Sequence, residues 1–102
     1  MIMEEKALKN LIKSAINRGV DLKYSSDIPD NANLISYNIE QVTKCDNPNY
    51  NYTFTGSANI AIPTDNGYME YSGCVIEGDV LIDNGFATII NGIFIKKGLS
   101  WD

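Results

Sequence analysis

Four carboxylates fall close together late in the chain, at Glu70, Glu77, Asp79 and Asp83, and two thiols stand at Cys45 and Cys74. Carboxylates facing each other across a cleft are the arrangement of glycoside hydrolysis. A thiol beside a base is the arrangement of a covalent nucleophile. The chain has no histidine, the side chain whose ordinary pKa lies nearest neutrality and which supplies most proton transfers. A cysteine here has no imidazole to activate it, and a carboxylate pair needs a deep pocket that a short chain rarely builds. The thiols read as reduced, small apolar residues, and the carboxylates as solvated charges that discourage edge-to-edge aggregation. No catalytic residue is assigned, and the chain is expected not to be an enzyme.

Metal and cofactor chemistry fare no better. Without histidine or a Cys-x-x-Cys pair there is no zinc site of the usual kind. The run from Asp46 to Asn51 is rich in oxygen donors, but Pro48 takes a position where a calcium loop needs a ligand, and the closing glutamate is missing. Gly73, Gly78, Gly85 and Gly92 recur at intervals near seven residues. They form no phosphate-cradling motif, and the segments between them are too dissimilar to stack as a solenoid. They read as turn and bulge glycines. No cofactor and no metal are expected.

The elements that must position these residues divide the 102-residue chain in two. Leu8, Leu11, Ile12, Ala15 and Ile16 recur at three- and four-residue spacing, which predicts an amphipathic helix over 3–18. Glu4 and Glu5 suit its start and Arg18 its end, and Gly19 stops it. A loop rich in Ser, Asp and Asn follows, with Pro29 biasing Ile28 to extended backbone. From there, alternation with a period of two predicts strands at 34–45, 50–62, 68–76, 79–83 and 86–95, with a tail over 96–102 in which Trp101 is able to dock on the domain. Pro63 to Gly67 is a hairpin loop, Glu77-Gly78 a turn or bulge, and Asn84-Gly85 a tight hairpin. Asn91-Gly92 is either a turn or a bulge.

The expected fold is therefore α+β in a single domain: one N-terminal amphipathic helix packed on an antiparallel meander of four to six strands. Cystatin-like architectures share this order of elements, a comparison of topology alone. A small barrel plugged by the helix is the alternative. The N-terminus is acidic where a secretion signal is basic, and no stretch is long and apolar enough to span a membrane. A cytoplasmic location is expected, in which the formal glycosylation sequon Asn51-Tyr52-Thr53 has no use.

Charge is unevenly divided. Between Tyr24 and Ile95, nine acids face the single base Lys44, a net of −8, whereas residues 1–23 carry five bases against three acids. A surface this negative repels phosphate, so direct binding to nucleic acid is disfavoured. Tyr50, Tyr52 and Phe54 share one strand face, but their acidic surroundings argue for core or protein contact over base stacking. The acidic half suits docking on a basic groove of another protein, such as a nucleic-acid enzyme. Arginine occurs only at Arg18, while asparagine and isoleucine abound, a bias typical of AT-rich genomes.

These features lead to one expectation: a small non-enzymatic inhibitor or immunity factor of a phage or other mobile element. Its aromatic anchors and acidic rim are drawn from Glu40, Tyr50, Tyr52, Asp65, Tyr68, Glu70, Tyr71, Glu77, Asp79 and Asp83. One alternative is a ligand-binding or enzymatic domain using a cavity between helix and sheet. Another is a homo-oligomeric assembly protein, such as a dimer paired through the strand over 50–62.

Overall fold

In the computed structural model, residues 4–98 are described. Met3, where the helix was expected to begin, and the end of the expected tail, with Trp101, lie outside the described residues.

Helix α1 runs Glu5–Asn17 and buries Leu8, Ile12, Ala15 and Ile16, the stripe its spacing predicts. Five strands follow: β1 Leu22–Tyr24, β2 Asn33–Lys44, β3 Tyr52–Thr64, β4 Gly67–Asp83 and β5 Phe86–Lys96. They form one sheet in the order β1-β5-β4-β3-β2. The chain is thus α+β, one helix packed on a five-stranded mixed sheet.

Three features depart from the expected elements. β1 falls in a stretch read as loop, and it pairs parallel to β5, so the sheet is mixed and not an all-antiparallel meander. Three residues are too short to declare a period, and the strand exists because the edge of β5 pairs with it. This gives no support to the cystatin-like comparison. Second, the segments 68–76 and 79–83 are one continuous strand, because Glu77 and Gly78 stay paired to β3 on one side and β5 on the other. Third, Asn91-Gly92 is a bulge inside one strand. The β4–β5 ladder steps from Gly78↔Ile93 to Asp79↔Ile90, leaving both bulge residues without a partner on β4.

The register sorts the sheet into two faces. Ile39, Phe54, Ala58, Ile60, Cys74, Ile76, Val80, Ala87, Ile93 and Ile95 point inward and join the buried stripe of α1 in one core. β1 and β2 are opposite edges, so the link between them crosses the sheet, and it does so on the inner face, burying Ile28 and Ala32. The Tyr24 hydroxyl donates to the Ala32 carbonyl at 2.9 Å and holds that crossing. The Tyr37 hydroxyl ties β2 to the helix, donating to Asn17 Oδ1 at 2.7 Å. With helix and link both on one side, no other described element covers the opposite face of β3, β4 and β5.

β3 is paired along its length to β4 on one side and to β2 on the other. Dimerisation through the 50–62 segment is therefore corrected: over 52–61 both edges of the strand are already occupied.

Candidate functional site

The outer face is built by alternation. Thr53 and Thr55 on β3, Glu77 and Asp79 on β4, and Ile90 and Phe94 on β5 all take the outward positions of their ladders. Together with Lys23 of β1 and the bulge residues Asn91 and Gly92 they line an open groove of about 470 Å³. The bulge lies at the groove: Asn91 and Gly92, without partners on β4, fall between the residues paired to Gly78 and Asp79. Both hold left-handed backbone, Asn91 at φ 63° and Gly92 at φ 77°. Gly92 is fixed further by contact, since a Cβ there would stand 2.7 Å from the Asp21 carbonyl oxygen. That carbonyl accepts the Ile93 N–H at 2.9 Å and pins β1 beside the bulge.

Beneath the groove, the Phe54 ring lies on the backbone of Gly78. A Cβ at Gly78 would approach the ring to 2.6 Å, so the large inward ring and the bare glycine are complementary. At the rim, Lys96 Nζ meets Glu77 Oε2 at 3.6 Å, both side chains nearly half-exposed. An ion pair so open to water adds little stability. Asp79, half-buried, makes neither an ion pair nor a side-chain hydrogen bond with any described residue.

A second cleft, about 550 Å³, opens between the end of α1 and β5 and is lined by Arg18, Asp21, Phe86 and Ile89 among others. Arg18 lies over the Phe86 ring, 4.2 Å from its centroid, and donates from Nη2 to the Ala87 carbonyl. The guanidinium thus latches the helix end to β5 by a cation–π contact and a charged hydrogen bond.

The ten residues singled out from the sequence do not form one surface. Glu77 and Asp79 come together in the groove. Asp83 is exposed at the end of β4, before the Asn84-Gly85 turn. Asp65 and Tyr68 lie at the β3–β4 hairpin tip, where Tyr68 is 66% exposed. Glu70 and Tyr71 line a small hollow beside Ile35. Glu40 is exposed on β2, at a register shift of the edge strand. Tyr52 and Tyr71 pack against the core, and Phe54 is fully inside it, so the aromatic run serves the core. Tyr50 is half-buried and its carbonyl accepts the Cys45 S–H at 3.9 Å.

Among the described residues, no three carboxylate or thiol side chains converge as a metal site would require. Burial pushes the Cys74 thiol up from its ordinary value, the opposite of an activated nucleophile. Sequence reasoning missed Lys23, Ile90 and Phe94 as neighbours of Glu77 and Asp79. Their parity was legible, but their juxtaposition depends on the bulge at Asn91-Gly92, which the sequence left open between turn and bulge. It also missed Asn51, whose amide accepts from the Ile82 N–H and donates to the Ile82 carbonyl, each at 2.8 Å, so the sequon asparagine is engaged by β4. No helix among the described residues is long and apolar enough to cross a membrane. Compared with protein-family models, curated proteins and solved structures, the chain matches none of them.

Proposed function

We propose that this chain is a non-enzymatic protein that works by binding another protein, docking its acidic sheet half on a basic surface. One observation carries the reading. Of the nine carboxylates between Tyr24 and Ile95, only Glu77 forms an ion pair with a described residue. The other eight form no ion pair with a described residue, although Asp27 accepts a hydrogen bond from the Ser25 hydroxyl, and most are left to solvent or to a partner. Such a field steers a basic partner into encounter, and its effect falls with ionic strength. A basic groove of a nucleic-acid enzyme is the complementary surface, and occluding it is the mechanism of an inhibitor or immunity factor. Small size, a single mixed sheet and AT-rich composition suit a phage or other mobile element, acting in the cytoplasm. Capture from the native host at low and high salt tests the reading, with a variant neutralised at Glu77, Asp79 and Asp83 as the comparison.

A second reading rests on the 550 Å³ cleft, which is larger than the ~300 Å³ at which ligand pockets begin and holds both Arg18 and Asp21. It takes the chain as a small-molecule-binding domain. Ligand-observed NMR against a panel of amino acids and nucleotides tests it. Binding lost in Arg18→Ala supports it, and the absence of binding by every member of the panel dismisses it.

A further inference from the structure

We infer that the outer groove beside the β5 bulge receives one arginine side chain of the protein partner, an assignment that rests on the protein-binding reading above. Three properties of the groove select this occupant. Its apolar wall is Ile90 and Phe94, the latter 36% exposed, a surface that suits the methylene stem and planar face of a guanidinium. Its β3 side is Thr53 and Thr55, whose hydroxyls accept the remaining N–H groups. Its charge is Asp79, half-buried and without an ion pair or side-chain hydrogen bond to any described residue, while the neighbouring Glu77 is held by Lys96.

Covering Asp79 with an apolar group would strand a carboxylate away from water, which is costly, and an anion would be repelled. A cation is the complement. Arginine is preferred to lysine because a carboxylate accepts two parallel N–H bonds from a guanidinium, and the planar group also stacks on an aromatic ring. Lys23 lines the groove from β1, with β5 between it and Asp79, and forms no ion pair with that carboxylate. The carboxylate therefore stays open, and the Lys23 ammonium offsets part of the negative charge that the arginine meets.

The test is a titration of the intact chain, followed by backbone amide NMR, with a capped glycine heptapeptide carrying one central arginine. Its lysine and citrulline counterparts are run in parallel. Saturable shifts confined to Thr53, Thr55, Asp79, Ile90 and Phe94 are expected with arginine, several-fold weaker binding with lysine, and none with citrulline. Asp79→Asn is expected to weaken arginine binding by about tenfold, the scale of a charge-assisted pair, while Asp83→Asn changes it by less than about twofold. Equal affinity for the three peptides, an unaffected Asp79→Asn variant, or no saturable shift in the unaltered chain each overturns the assignment. The protein-binding reading survives that failure if host capture is still abolished by neutralising Glu77, Asp79 and Asp83 together. If capture is unaffected as well, both fall.

Discussion

At the scale of single residues, the interior is apolar: no polar or charged side chain is buried among the described residues, and the largest fully buried side chains are those of Phe54, Cys74, Val80 and isoleucines. Cys74 is a buried titratable group whose ordinary value is displaced. Its thiol, together with the hydroxyls of Tyr24 and Tyr37, is pushed up by burial, and for Tyr24 the neighbouring Cys74 adds to the effect. For each of these acids the unfolded chain loses its proton first as pH rises. The unfolded state then binds fewer protons than the folded one, and stability falls with pH. Urea denaturation should therefore show stability dropping as pH climbs past the ordinary thiol value near 9.0 and on through the tyrosine range. With no histidine to titrate, the curve should be nearly flat from pH 6 to 8. A marked fall inside that neutral window would contradict this assignment.

At the scale of elements, what was legible in the sequence followed from unbroken periodicity. The stripe from Leu8 to Ile16 located α1, and the alternation over 50–62 located β3, which runs Tyr52–Thr64, with Phe54 on the face opposite Thr53 and Thr55. What was not legible depended on contacts between distant segments. Leu22–Tyr24 becomes a strand only because Ile93 to Ile95 lie beside it. Glu77-Gly78 carries a glycine that resembles a turn, yet Gly78 is bare because the Phe54 ring occupies the space of its side chain. The groove was illegible for the same reason, since Glu77 and Asp79 gain their neighbours through a bulge whose partner, Asp21, is far away in sequence.

That contact gives a prediction at this scale. Gly92→Ala strains left-handed backbone and drives a Cβ against the Asp21 carbonyl. It should cost about 1–3 kcal/mol of stability and detach β1 locally. Hydrogen exchange at the Ile93 amide, which bonds to that carbonyl, should accelerate well beyond the change at the Ile76 amide in the middle of β4. Equal acceleration at both sites would mean that the bulge does not anchor β1.

At the scale of the whole molecule, the helix and the crossing link lie on one sheet face, and the charge is divided along the chain but not between the faces, since Asp27 and Asp30 belong to the crossing link and Lys23 lines the outer groove. Residues 1–23, which hold the helix, are weakly basic, and the span from Tyr24 to Ile95 carries −8. The acids are dispersed over the outer groove, the hairpin tip, the edge strand and the connecting turns, so on the proposed reading specificity lies in the groove and encounter rate in the wider field. The most direct measurement is affinity capture from the native host with the intact chain and with the Glu77→Gln, Asp79→Asn, Asp83→Asn triple variant, the fold of both verified by circular dichroism. A stoichiometric basic protein should be recovered at low salt, released at high salt, and missing from the folded triple variant. Recovery of no stable partner at low salt, or equal recovery by both chains, would contradict it.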